Sequence, residues 1–309
     1  MVLFSSNKYS VGGKVALVTG ALGAIGQQIS LRLVELGARV VLVDIVSDGA
    51  GETLSRSINE SSQRDASVYI QADMRSLSDV RRMLDQGISA FGQLDILVNN
   101  AGLSTYKEYY VDEDGEGISA LLDINLRAPM ESTRLFVKYL QRENIQGGVI
   151  VNMASISGLL PVRRFELYGT TKAALIYFTE ANRSLAPQVR VTAVAPYFVD
   201  SPMVRNSKEL METSFVNPSV LLRVDQVVDA VVERIENLNS GGKCTTLVGS
   251  SGPSSVWIFR LAYVSTGLFV LWYMFVGYVK GLFGFSGNSA SHPTAASSAG
   301  STTLTNKDD

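Results

Sequence analysis

Histidine and cysteine are nearly missing from this chain. Its 309 residues include one of each, His292 and Cys244. A single cysteine excludes an intrachain disulfide and fits a reducing compartment. His292 stands in a Ser/Thr-rich stretch near the C-terminus. A Ser-His-Asp or Cys-His hydrolase therefore lacks its base, and a zinc alcohol dehydrogenase lacks its ligands. No metal site is expected. The formal charge of −2 gives no electrostatic case for nucleic acid. Residues 1–10 hold no apolar core of the kind a cleaved secretory signal needs. Whatever chemistry the chain performs must run on Tyr, Lys, Ser, Asn and carboxylates.

What is present is an alternation of short apolar runs and helical patterns. Val15-Ala16-Leu17-Val18 reads as a buried strand. It feeds Thr19-Gly20-Ala21-Leu22-Gly23-Ala24-Ile25-Gly26, and then a helix whose Ile29, Leu33 and Leu36 share a face. The next strand, Val40 to Val43, ends in Asp44. Strand, Gly-rich turn, helix, strand and acid in this order form a dinucleotide-binding unit. The glycines admit a pyrophosphate to the backbone, and the helix N-terminus offers N–H groups and a positive dipole end. Asp44 would accept hydrogen bonds from the adenosine ribose and repel a 2′-phosphate. No Arg or Lys stands at positions 45–51 to offset that repulsion, so NAD is favoured over NADP.

The alternation continues through strands at Val68–Ala72, Ile96–Val98, Val149–Met153, Val189–Val194 and Thr245–Val248. A long helix is expected over Gly117–Leu140, an irregular loop over 197–220, and an amphipathic helix on Val224, Val227, Val228, Val231 and Ile235. Strands that are apolar throughout mean a parallel sheet covered on both faces. The fold class is α/β: a single doubly wound parallel sheet, a Rossmann fold.

The stretch Ser155 to Lys172 carries the candidate chemistry. A helix expected over Thr170–Leu185 puts Tyr168 and Lys172, four residues apart, on one face. A free tyrosine titrates near ~10, too high for a good base at neutral pH, and a nearby ammonium lowers that value. Ser155, just past a strand, could hold a substrate oxygen and steady its developing charge. Tyr and Lys facing water is the plainer alternative. Arg163 and Arg164 are either solvated loop charges or partners for a substrate carboxylate.

Residues 261–279 hold no charge and are bracketed by Arg260 and Lys280. At 1.5 Å per residue the run just spans a bilayer's ~30 Å hydrocarbon core. A buried C-terminal helix or a dimer contact is the other reading. The expected organisation is a dehydrogenase domain over 1–253, a membrane segment over 254–285 and a disordered Ser/Thr-rich tail over 286–309. The catalytic domain would then be membrane-associated on the cytosolic side.

The residues resemble a known family. Thr19-Gly20 with Gly26, Asp73, Asn99-Asn100-Ala101-Gly102, Asn125, Ser155, Tyr168 with Lys172, and Pro196 match the short-chain dehydrogenase/reductases in order, over about Lys14–Gly249. Within it, Val-Asp-Ile-Val at the end of the second strand is similar to the 15-hydroxyprostaglandin dehydrogenase-like branch. The resemblance implies hydride transfer between nicotinamide and a secondary alcohol or ketone, with a hydrophobic, lipid- or steroid-like substrate. It implies that Tyr168 is the acid/base and that Ser155 positions the reacting oxygen. Lys172 would hold the nicotinamide ribose, and Asn125 a water behind Lys172. Asp73 would meet the adenine ring, and Asn99 would steady the sheet beside the cofactor. The implied NAD-binding set is Gly20, Leu22, Gly23, Ile25, Gly26, Asp44, Asp73, Met74, Asn99, Ala101, Gly102, Tyr168, Lys172, Pro196 and Val199. A homo-oligomer is common in the family. Ala24 and Tyr197 stand where the family usually has Gly, and Ser201 where Thr is common. Those two bulkier residues leave room for a second reading, a catalytically weak nucleotide-binding scaffold on a membrane. An epimerase or dehydratase would need more folded chain after Val248.

Overall fold

The computed structural model describes residues 9–47, 49–104, 115–185, 189–206, 221–237 and 245–248. Seven strands form one sheet: β1 (Val15–Thr19), β2 (Arg39–Asp44), β3 (Ser67–Gln71), β4 (Ile96–Asn99), β5 (Gly148–Met153), β6 (Val189–Pro196) and β7 (Thr245–Val248). Their order is β3-β2-β1-β4-β5-β6-β7, and every neighbouring pair is parallel.

β1 shows why the strands read as unbroken apolar runs. Ala16 and Val18 join the layer of Ile29 and Leu33 from helix α1 (Ala24–Glu35). Val15 and Leu17 join the opposite layer with Val80 and Met83 of α3 (Leu77–Phe91). A strand buried on both faces favours apolar residues, and a polar one there must find a hydrogen-bond partner. α2 (Ala50–Ser62) lies against β3. α4 (Glu116–Leu122), α5 (Ala128–Arg142), α6 (Glu166–Ala181), the single turn α7 (Pro202–Arg205) and α8 (Val224–Glu236) complete the described α-helices. Phe136 and Leu140 of α5 pack in the layer of α3, and Val227, Val231 and Ile235 of α8 in that of α1.

Three expectations change. The helix expected over Gly117–Leu140 is broken at Asp123–Arg127 by a π-helical turn that carries Asn125. One extra residue in the turn rotates α5 relative to α4, and such turns gather at functional sites. α6 begins at Glu166, before Tyr168, and ends at Ala181, so Tyr168 stands within the helix. The stretch 197–220 contains a helical turn at Pro202–Arg205, and 207–220 lies outside the described residues. The segment 254–285 and the tail 286–309 also lie outside them. No helix among the described residues is long and apolar enough to cross a membrane.

From β1 the chain runs outward to β2 and β3, then returns to β4 on the other side. The crossovers on the two sides diverge there. A crevice opens beyond the C-terminal strand ends, where open α/β sheets bind ligands.

Candidate active site

That crevice is a cavity of about 760 Å³. One end is built by the turn after β1. Gly20 holds φ +64, and a Cβ on it would come within 2.9 Å of Ala101 Cα; one on Gly26 would meet the Gly20 carbonyl at 2.1 Å. These glycines are required by the fold of the turn itself. Gly23 differs, since a Cβ there would meet only the Gly20 carbonyl, at 3.4 Å. Ala24 opens α1 without the positive φ that would demand glycine. Thr19 Oγ1 accepts from the Asn100 and Ala101 N–H groups, and the Asn100 amide donates to the Thr19 and Gly20 carbonyls. The end of β4 thereby clamps the turn. α1 starts at Gly23 with no side-chain cap and no acid in its first turn. Its N–H groups and dipole end are left for an anion. Asp44 Oδ2 accepts the Leu22 N–H at 2.9 Å and Oδ1 accepts the Ile45 N–H at 2.8 Å. Each oxygen keeps a second lone pair for another donor. An uncapped helix start, an open Gly23 and a carboxylate along one wall fit a dinucleotide.

The other end holds the candidate chemistry. Ser155, Tyr168 and Lys172 all line the cavity. Ser155 Oγ accepts the Ser157 N–H at 3.2 Å, which fixes its rotamer beside the Tyr168 phenol. Two glycines bring the loop after β5 onto α6. A Cβ on Gly158 would come within 2.6 Å of the Lys172 carbonyl carbon, and one on Gly169 within 2.8 Å of the Ser157 carbonyl. Lys172 Nζ donates to the Met153 carbonyl at 2.8 Å and lies 5.6 Å from the centre of the Tyr168 ring.

The electrostatics correct the expectation that Lys172 lowers the tyrosine. Burial raises the Tyr168 phenol above its ordinary value, and the nearby Ser155 hydroxyl opposes this in part. Burial also pushes the Lys172 ammonium down to about 8. Desolvation disfavours both charged forms, and the lysine points at a carbonyl. In this arrangement Tyr168 is a proton donor at neutral pH.

Of the other expected residues, Leu22, Ile25, Asp73, Met74, Ala101, Gly102, Pro196 and Val199 line the cavity with the Gly-rich turn. Asp73 is also committed elsewhere. Arg75 Nε and Nη2 grip its carboxylate at 2.9 and 2.6 Å, which holds it below the usual carboxylate range. Asn99 and Asn125 are not in the lining. Asn99 is buried beneath it, donating to Asn152 and accepting from Ser132, both at 2.8 Å. Asn125 grips the Leu103 backbone twice at 2.8 Å and donates to Thr171 Oγ1, which itself donates to the Tyr168 carbonyl. Arg163 and Arg164 are not in the lining either. The Arg164 N–H donates to Glu166, which suits the solvated-loop reading. Among the described residues no three of His, Cys, Asp or Glu could share a metal ion.

Sequence reasoning singled out Tyr197 but missed the rest of the aromatic wall. Tyr197 packs edge-on to Phe198 at 5.1 Å, Phe198 to Phe165 at 6.1 Å, and Phe165 to Tyr168 at 5.7 Å. All four rings line the cavity, with Leu103, Ile156, Met203 and Val204 nearby. The signal for the rest was Phe198, the ring that follows Tyr197 after Pro196.

Comparison with known proteins agrees with this geometry. A family model described as short chain dehydrogenase matches residues 14–212. The chain belongs to the short-chain dehydrogenase/reductase family. As such it is an oxidoreductase acting on alcohols. It is 34% identical over 201 residues to mouse (Mus musculus) 15-hydroxyprostaglandin dehydrogenase [NAD(+)], covering 63% of this chain and 71% of that one. The likeness thus falls in the 15-hydroxyprostaglandin dehydrogenase-like branch. It is 29% identical over 287 residues to 11-beta-hydroxysteroid dehydrogenase A of Sesamum indicum, covering 85% and 78%. Among solved structures, 3-ketoacyl-(acyl-carrier-protein) reductase from Brucella melitensis, complexed with NADH, aligns with a TM-score of 0.68 at 28% identity, over 78% of this chain and 99% of that one.

Proposed function

We propose that the protein is an NAD-dependent dehydrogenase of hydrophobic secondary alcohols that also reduces the matching ketones. One observation carries this reading: Ser155, Tyr168 and Lys172 line one end of a cavity whose other end is the Gly-rich turn and Asp44. When bound, NAD supplies the hydride acceptor. The chain's own residues do the rest. Ser155, its rotamer fixed by the Ser157 N–H, holds the substrate oxygen with Tyr168. Tyr168 gives or takes the proton at that oxygen. Because burial keeps the phenol protonated, carbonyl reduction suits neutral pH and alcohol oxidation suits alkaline pH. Lys172, held on the Met153 carbonyl, presents its remaining donors to the ribose hydroxyls. Asn125 fixes Leu103 and Thr171 around the pair. Asp44 takes the adenosine ribose and rejects a 2′-phosphate.

The aromatic wall supports a hydrophobic substrate, as do the hydroxylated lipid and steroid in the relatives' names. The uncharged run 261–279 supports attachment to a membrane. The deciding assay is NAD reduction, followed by absorbance, on a panel of hydrophobic secondary alcohols with NADP in parallel. Turnover with NAD at several times the rate with NADP is expected. A panel that yields none, or a preference for NADP, overturns the reading.

A further inference from the structure

Beneath the cavity four buried polar side chains form one directed line. The Ser132 hydroxyl on α5 donates to Asn99 Oδ1 at 2.8 Å. The Asn99 amide donates to Asn152 Oδ1 at 2.8 Å, between residues in register on β4 and β5. The Asn152 amide donates to Thr179 Oγ1 at 2.9 Å, and Thr179 donates to the Leu175 carbonyl at 2.8 Å, both on α6. Each of the four is 3% exposed or less. Apolar side chains would fill this layer at no desolvation cost, so a complete polar line specifies geometry more than it adds stability.

What it specifies is the seat of α6. Asn152 directly precedes Met153, whose carbonyl holds Lys172. Strand β5 therefore grips α6 at two places. Thr179 lies eleven residues beyond Tyr168, about three turns or ~16 Å along the axis on the same face. A helix fixed at its far end cannot roll about its near end. A roll of α6 would move Tyr168 against the loop that carries Ser155, because Gly158 and Gly169 let the backbone of that loop pack on the helix at Lys172 and Ser157 without an intervening side chain.

We infer that Asn152 and Thr179 are positioning residues for the acid/base pair, acting through the seat of α6 and touching neither substrate nor cofactor. The inference rests on the proposed dehydrogenase reading for its kinetic consequence, but not for its structural one. Thr179→Val keeps the volume and removes the partner of Asn152, and Thr179→Ser restores the hydroxyl.

Two readouts test it. The first needs no substrate: the 13Cζ resonance of Tyr168 in tyrosine-labelled protein, assigned by its loss in Tyr168→Phe. It should shift in Thr179→Val, as Tyr168 moves relative to Ser155, and return in Thr179→Ser. The second is turnover. In Thr179→Val kcat should fall between about tenfold and about 10²-fold, as for a small misplacement of a reacting group, with KM for NAD within about twofold and Thr179→Ser near wild type. Should Thr179→Val not fold, Ser132→Ala removes the first donor and should move the same resonance by less. A Tyr168 resonance unchanged in every folded variant of the line overturns the inference. A wild-type protein that turns over no alcohol, but whose resonance shifts as described, sinks the dehydrogenase reading and leaves the positioning intact.

Discussion

Two lysines stand at opposite ends of the sheet. Lys14, just ahead of β1, donates to Asp95 at 3.0 Å, and the same carboxylate accepts the Val15 N–H and the Gln93 amide. Lys172, beyond the C-terminal ends, is 3% exposed and has a carbonyl for a partner. The first end satisfies its charge with a charge. The second buries a cation without one. A buried, uncompensated ammonium costs stability, so its presence marks the end where chemistry outweighs stability. Removing groups at the two ends should therefore give opposite signatures.

The largest effect is expected at Tyr168. Tyr168→Phe removes the proton donor and leaves the ring in its place against Phe165. Turnover should fall by at least ~10²-fold, the lower end of a general acid–base contribution. NAD affinity, by fluorescence titration, should barely change. A variant with near-normal turnover would falsify the acid/base assignment.

Lys172→Met sharpens the contrast, because turnover and stability should move in opposite directions. The unfolded chain keeps the Lys172 proton up to 10.5 and the folded one only to about 8. Between those values the unfolded state binds more protons, so this lysine's contribution to stability rises with pH across the window. Below about 8 the full cost is present. At pH 7 the methionine variant should gain up to about 3 kcal/mol, less the lost hydrogen bond to Met153. The gain should fade as pH approaches 10.5. Urea unfolding at pH 7 and pH 10 measures it. Equal effects at both pH values would show that the lysine bears no desolvation cost.

At the opposite end, Asp95→Asn should cost about 1–3 kcal/mol, since Lys14 and the Val15 N–H lose a charged acceptor. Activity per folded molecule should stay within about twofold of wild type. A large loss of kcat at full occupancy would mean that the two ends are not independent. Asp44→Ala belongs to the cofactor side of the site. Losing charge-assisted hydrogen bonds should weaken NAD by about tenfold or more and leave NADP little changed. Kd values for both cofactors decide it. An unchanged NAD/NADP ratio removes Asp44 from the selection.

The same contrast explains what could be read from sequence. Strands such as the one that opens with Val15-Ala16-Leu17-Val18 announce themselves because burial on both faces favours apolar residues. The Gly-rich turn and the Tyr168/Lys172 spacing are local patterns fixed by backbone geometry. What escaped depends on partners distant in sequence. Asn152 and Thr179, 27 residues apart, look like stray polar residues in a strand and a helix until they meet. The π turn at Asp123–Arg127 is a one-residue shift inside an otherwise helical pattern, too small for periodicity to register. The sign of the Tyr168 shift was misjudged because spacing reveals that a lysine is near but not where its ammonium points. Asp73 was expected at the adenine, but Arg75 two residues later also grips it.

The smallest effect on chemistry is expected from the tail. Among the described residues every side chain lining the site lies before residue 205, and deleting 257–309 should leave turnover per folded molecule within about twofold of wild type. Its effect should fall on partition. The run from Leu261 to Val279 carries no charge, and its length matches a hydrocarbon core of ~30 Å. The flanking Arg260 and Lys280 balance one another, so the charge bias sets no orientation. A helix of the same composition could instead bury its surface against a second subunit. Extraction separates the two. A spanning segment keeps the full chain in the membrane pellet through an alkaline carbonate wash, and the deletion releases an active domain. A full chain that stays in solution without detergent, or a deletion that unfolds the domain, makes the segment part of the fold and ends the anchor reading.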